Sequence, residues 1–168
     1  MHLTLHTDYA LRTLLYLTHF PKRRIGTAEI SSAFEISKHH LVRVIQTLAE
    51  SGFVTVNMGR GGGIMLSLPA EEIRIGDVIR ACEPNFKMVE CFEVESNTCP
   101  IISVCGLKAP LAEAVSRFID TLNQYTLADI TRKGSHEHFV QLLNFEPASS
   151  PDDLKNTDPW KPSGQPST

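Results

Sequence analysis

Three cysteines, Cys91, Cys99 and Cys105, stand with seven and five residues between them in a polar stretch that has no hydrophobic period. Thiolates are soft ligands, and a compact trio on one irregular segment can converge on a metal. Zinc sites draw on paired CxxC or HxxxH spacings, which the chain lacks, so structural zinc is disfavoured. An iron-sulfur core asks only for thiolates that reach a small inorganic body, and uneven loop spacings serve it well. Such a core takes four protein ligands and this loop offers three; the competing reading is three ordinary small hydrophobes. The remaining cysteine, Cys82, completes the apolar stripe Ile75, Val78, Ile79 and reads as a core residue, not a ligand.

A second set of residues suits nucleic acid. Ser37, Lys38, His39, His40 and Arg43 gather at the start of a helical pattern whose other face is Leu41, Val44, Ile45 and Leu48. Donors at the start of such a helix reach base edges or phosphates, and arginine is the best reader of guanine. His40 is also placed to pack against the fold. Arg60, at the tip of the glycine cluster Gly59 to Gly63, suits a minor groove or a phosphate. The glycine run is no nucleotide phosphate loop, because no Lys-Ser/Thr follows and a strand comes next. Lys22, Arg23 and Arg24 are expected to meet solvent or phosphate, and His136 and His138 read as surface rather than as a metal pair.

These residues need elements to hold them. The periodicity predicts a first helix over Asp8 to Phe20, with Thr7 as its cap and Asp8 in its first turn, where a carboxylate is favoured. Arg12, four residues on, shares that face and belongs with the DNA-binding set. Thr27 caps a short helix through Ile30 and Phe34, and a turn at Glu35 to Ser37 leads into the Ser37-capped helix that Gly52 stops. Two strands, Phe53 to Val56 and Ile64 to Leu68, flank the glycine turn. Two short helices followed at once by a hairpin make a winged helix-turn-helix. Another helix runs from Ile73 to Glu83-Pro84. After the cysteine loop, Leu111, Val115, Phe118, Leu122 and Tyr125 mark a long amphipathic helix suited to dimerisation, and Thr126 caps a further turn. The last segment holds five of the ten prolines and few large apolar groups, and reads as a disordered tail.

The fold class expected is therefore mainly α with a small β hairpin, a winged helix-turn-helix plus a long dimerisation helix. The divisions are 1–83 for DNA binding, 84–106 for the cysteine loop, 107–146 for the dimerisation helix and C-terminal segment, and 147–168 for the tail. The formal charge of -3 over 168 residues is awkward for a DNA partner until it is divided. Residues 1–65 hold seven Lys and Arg against four Asp and Glu; the remainder holds nine against fifteen. The positive excess thus sits on the expected DNA reader. No stretch approaches a membrane span or a signal peptide, so a cytoplasmic protein without a membrane partner is expected, with its cysteines reduced or metal-bound. No nucleophile-base pair or cofactor fingerprint supports an enzyme.

The segments LTLHTDYALRTLLYL, SKHHLVRVIQTLAESGFV, GRGGGIMLSLPAEEIRIGDVIR, VECF around Cys91 and LNQYTLADI resemble the NsrR-type nitric-oxide-sensing repressors of the Rrf-type iron-sulfur winged-helix regulator family, to which IscR also belongs. The resemblance covers roughly Met1 to Ile130 in order. It implies a homodimeric repressor of a palindromic double-stranded DNA operator, with nitric oxide as signal. It also implies an iron-sulfur cluster, 4Fe-4S ahead of 2Fe-2S, on Cys91, Cys99 and Cys105, with Asp8 from the other subunit as fourth ligand. IscR-like members carry a histidine just after the third cysteine; Lys108 stands there instead. The alternative implied is a redox- or iron-availability sensor of the same fold.

Overall fold

A computed structural model describes residues 2–59, 61–93, 95–131 and 136–143. Arg60 and the expected tail lie outside the described residues. The elements are α1 (Leu5–His19), α2 (Thr27–Phe34), α3 (Lys38–Glu50), β1 (Val54–Asn57), β2 (Gly63–Leu66), α4 (Ile75–Cys82), α5 (Lys108–Leu122), α6 (Leu127–Thr131) and α7 (His136–Leu142). Among the described residues no helix is long and apolar enough to cross a membrane.

The first helix begins a turn earlier than its apolar period suggests. Thr4, not Thr7, is the cap, its hydroxyl accepting from the Thr7 N–H at 3.3 Å, and Thr7 is buried inside the helix. Both residues are capping threonines by type; burial of Thr7 decides between them. Gly26 rather than Thr27 occupies the cap of α2. Ser37 caps α3 as expected, accepting from the His40 N–H at 3.3 Å. Between α2 and α3 the chain turns on Glu35, which adopts φ 54°, the left-handed geometry that ends a helix.

Ala10, Leu14, Tyr16 and Leu17 of α1 form one core with Ile30 of α2, Leu41, Val44 and Leu48 of α3, and Ile75, Val78 and Ile79 of α4. A large side chain removed this fully from water contributes about 1.5–3 kcal/mol, so the four helices are fixed mainly by this cluster. Among the described residues the core carries one buried carboxylate. Glu29 accepts from the Tyr16 hydroxyl at 2.8 Å and from the Arg23 guanidinium at 3.1 Å. Burial and the bond to Glu29 push the Tyr16 phenol far above its ordinary value, so it remains a donor. Arg23 also lies 5.1 Å from the centre of the Phe20 ring. The expectation that Arg23 faces solvent or phosphate is corrected: it compensates a buried charge.

The hairpin pairs Val54 with Leu66 through Asn57 with Gly63, antiparallel. Leu68, expected in the second strand, lies beyond β2 and is exposed. Gly62 makes the tip possible, since a Cβ there would sit 2.2 Å from the Asn57 carbonyl oxygen. The hairpin does not hang free. Ile25 and Ile64 exchange two backbone hydrogen bonds, at 3.0 and 2.9 Å, which join the wing to the segment entering α2.

In α5 only Ile119 is buried, while Leu111, Val115, Phe118 and Leu122 are half-buried and Leu107 and Tyr125 exposed. The helix is attached to the core by its C-terminal end. The Ile75 N–H donates to the Tyr125 carbonyl, Arg74 to the Asn123 carbonyl, and the Leu127 N–H to the Ile73 carbonyl. Thr126 caps α6 as expected and exchanges bonds with Asp129. Beyond it, α7 returns to α1: the Phe139 ring stacks on His19 with centroids 3.9 Å apart, and His136 meets Phe20 edge-on. His136 is exposed, in keeping with its reading as a surface residue, and its ring rests against Phe20.

Candidate DNA interface and cysteine loop

The helix-turn-helix delivers its donors on one side. The Leu41, Val44, Ile45 and Leu48 face of α3 is buried, which leaves Lys38, His39, His40 and Arg43 exposed on the other. Ser37 is exposed beside them, its oxygen engaged as the cap. His40 and Arg43 also line a crevice of about 200 Å³ with Leu5, His6, Tyr9 and Val44, where α1 crosses α3. His40 therefore faces both outward and toward the fold. The N-terminus of α3 presents unpaired N–H groups and the positive end of its dipole to the same side, an arrangement that attracts phosphate.

Asp8 and Arg12 lie on the adjoining first turns of α1 and pair with each other at 2.7 Å, both partly exposed. Tyr9, beside Asp8 in sequence, lines the α1–α3 crevice. The Asp8 N–H closes the first helical turn onto the Thr4 carbonyl.

The cysteine loop leaves α4 at Glu83. Cys82 is buried, and burial, with Glu83 adding to it, pushes its thiol up to about 11. Such a thiol is inert, as the core reading requires. Cys91 sits in a single 3-10 turn, Glu90–Phe92, and Cys91, Cys99 and Cys105 are all half-buried free thiols. The loop is organised by its own hydrogen bonds. Glu90 accepts from the Thr98 backbone N–H at 2.5 Å and from the Thr98 hydroxyl at 2.7 Å, which holds the residues before Cys91 and Cys99 together. These bonds keep the Glu90 carboxyl below its ordinary value. The Cys99 carbonyl accepts from Ile102 and the Cys105 N–H donates to Ile101, so two turns link the second and third cysteines. Lys87 pairs with Glu93 across the same loop. Among the described residues no group of three or more His, Cys, Asp and Glu side chains is gathered closely enough to hold a metal ion. The donor chemistry nonetheless fits an iron-sulfur group: three uncommitted thiols on one loop, folded back by the Glu90–Thr98 clamp.

With this geometry in view, comparison with known proteins decides the family. The Rrf2 family, described as Iron-dependent Transcriptional regulator, matches residues 3–133. The chain belongs to the Rrf2 family. It is 41% identical over 147 residues to the HTH-type transcriptional regulator NsrR of Bacillus subtilis, covering 87% of this chain and 99% of that one. It is 44% identical over 145 residues to the protein of the same name from Bacillus licheniformis, covering 86% and 100%. Among solved structures, T. potens IscR superposes with a TM-score of 0.63 at 20% identity, over 82% of this chain and 90% of that one, a likeness of fold. This Rrf2 protein is thus a DNA-binding transcriptional regulator with a winged-helix fold.

Sequence reasoning missed three features of the site. Glu83 accepts from the Thr4 N–H at 2.7 Å and the Thr4 hydroxyl at 3.1 Å, bracing α1 from the root of the loop. His6 Nε2 meets Thr47 Oγ1 at 3.1 Å, joining α1 to α3. The Glu29 network fixes α2 on α1. Each depends on how separate elements pack, so no helix or strand period announces it.

Proposed function

We propose that this Rrf2 regulator is a homodimeric repressor that carries an iron-sulfur cluster, 4Fe-4S in preference to 2Fe-2S, and releases its operator on exposure to nitric oxide. The observation that carries the reading is the 40–44% identity to NsrR regulators over nearly the whole of their length, combined with three free thiols on one loop. Cys91, Cys99 and Cys105 would hold the group, and Asp8 of a second copy would complete the set. Three soft thiolates and one harder carboxylate make an unequal ligand set, with the carboxylate the more easily displaced. When bound, the cluster supplies iron that a small neutral ligand such as nitric oxide can attack.

The protein's own residues do the rest. Lys38, His39, His40 and Arg43 read the major groove from α3, with Ser37 holding the helix start in position. Arg12 contacts phosphate beside them once Asp8 is drawn elsewhere, and Arg60 on the wing reaches the neighbouring minor groove. The half-buried stripe Leu111, Val115, Phe118 and Leu122 joins two copies, which makes the operator palindromic.

Anaerobic purification should yield a brown dimer that binds its operator and loses both visible absorbance and DNA on adding nitric oxide. Colourless protein from that preparation, or operator binding that survives cluster loss, refutes the reading. A response to oxidant or iron chelation with none to nitric oxide would instead assign a redox or iron-availability sensor.

A further inference from the structure

The first turn of α1 is held from two sides by contacts that begin at opposite ends of the functional apparatus. On one side Glu83, where the chain leaves α4 for the cysteine loop, accepts from the Thr4 N–H and hydroxyl. On the other side His6 reaches Thr47 of α3. The Thr47 hydroxyl has a single hydrogen and donates it to the Arg43 carbonyl at 3.2 Å. With that hydrogen directed to the carbonyl, the oxygen accepts from His6 in the tautomer that carries its N–H on Nε2. Thr47 and Arg43 stand one turn apart in α3, and Arg43 lies on the exposed face proposed to read DNA.

The apolar packing between α1 and α3 is non-directional and tolerates small shifts. A hydrogen bond is directional whichever group donates, so it sets the register of one helix on the other. The crevice lined by Leu5, His6, Tyr9, His40, Arg43 and Val44 leaves α3 room to shift where the two helices are not packed flush.

We infer that the His6–Thr47 hydrogen bond, braced through the same helical turn by Glu83, couples the root of the cysteine loop to the position of the recognition helix. His6, Thr47 and Glu83 are positioning residues for DNA reading. The inference rests on the reading of α3 as the DNA reader and is independent of the cluster's identity.

A double-mutant cycle tests it: full-length wild type, Glu83→Ala, Thr47→Val and the double variant, each purified anaerobically with its cluster and matched for visible absorbance. Two quantities are measured: affinity for a fluorescent duplex that the wild type selects from a randomised pool, and hydrogen exchange of α3 amides. Glu83→Ala should weaken binding by about 5-fold or more, the lower end of ordinary coupling between sites, and should do so only where Thr47 is present. Thr47→Ser, which keeps the hydroxyl, should restore both the affinity and its sensitivity to Glu83→Ala. Losses that simply multiply, or a Thr47→Val variant that binds and exchanges like wild type, overturn the coupling. A wild type that selects no duplex would refute the DNA reading instead, and the exchange arm, scored for faster α3 exchange with Glu83→Ala in the Thr47 background alone, still decides the coupling.

Discussion

Replacing Asp8 with alanine separates a ligand from a helix-end charge by the size of what is lost. Within one chain Asp8 has two favourable interactions. Its pair with Arg12 at 2.7 Å is partly exposed on both sides, 39% and 45%, and such an i,i+4 pair contributes about 0.3–0.5 kcal/mol. Its first-turn position against the helix dipole adds about 0.3–1 kcal/mol. Thr4 is the cap, so no capping bond is lost, and the better helix propensity of alanine returns roughly 0.5 kcal/mol. The net cost to folding is therefore below about 1 kcal/mol, a shift of a few degrees in Tm at fixed protomer concentration. A ligand loss is larger: even supporting residues of metal sites change affinity about 10–100-fold. The assay compares urea midpoints of the cluster-free proteins with the decay of visible absorbance of the loaded ones in anaerobic chelator. Asp8→Ala should leave the first nearly unchanged and accelerate the second at least about 10-fold. Cys82→Ser is the control and should leave the spectrum of the loaded protein as it is. Equal cluster lifetimes with a stability loss above about 2 kcal/mol would refute the reasoning, because that would make Asp8 structural.

Three further outcomes follow from the core. Tyr16→Phe removes one of two hydrogen bonds to the buried Glu29 carboxylate and should cost about 1.5–3 kcal/mol in urea unfolding; a loss under about 0.5 kcal/mol would mean that Arg23 satisfies Glu29 alone. Gly76→Ala places a Cβ 2.3 Å from Asn123 Oδ1 and 2.7 Å from the Ile119 carbonyl oxygen, and should destabilise by about 1–3 kcal/mol, with wild-type stability as the contrary result. Burial of Glu83 raises its carboxyl, but bonds from Thr7 and Thr4 outweigh that and leave it below its ordinary value. A depressed carboxyl stabilises the fold above the unfolded-state value of about 4.3 and loses that contribution as pH falls through the folded-state value. The stability gap between wild type and Glu83→Gln should accordingly be full at pH 6 and close in stronger acid; a gap independent of pH would exclude the charge as its source.

The helix-turn-helix and hairpin were legible because their signals are local. Leu41, Val44, Ile45 and Leu48 give the buried face of α3, Ser37 its cap, and the glycines the wing tip. Boundaries failed where two residues of equal type competed, as Thr4 and Thr7 did for the cap of α1, since tertiary burial makes that choice. Arg23 was misread because a basic triplet after Pro21 looks solvated, and only the fold brings Glu29 underneath it. Of the cysteines, Cys82 could be told apart by its apolar period, and its burial agrees. The remaining three stand out by type and spacing, their role as ligands is the one the resemblance implies, and the Glu90–Thr98 clamp that organises them has no periodic signature.

The two backbone hydrogen bonds between Ile25 and Ile64 make the wing and the recognition helix a single gauge. β2 is stitched to the strand-like entry of α2, so a swing of the hairpin toward a groove would have to carry the helix-turn-helix with it or break both bonds. The span between α3 and the hairpin, the two DNA contacts proposed above, is then a fixed length of the protein, read against the rise of the double helix. A half-site with one base pair inserted between its major-groove and minor-groove contacts would present every correct base and still be measured as the wrong size.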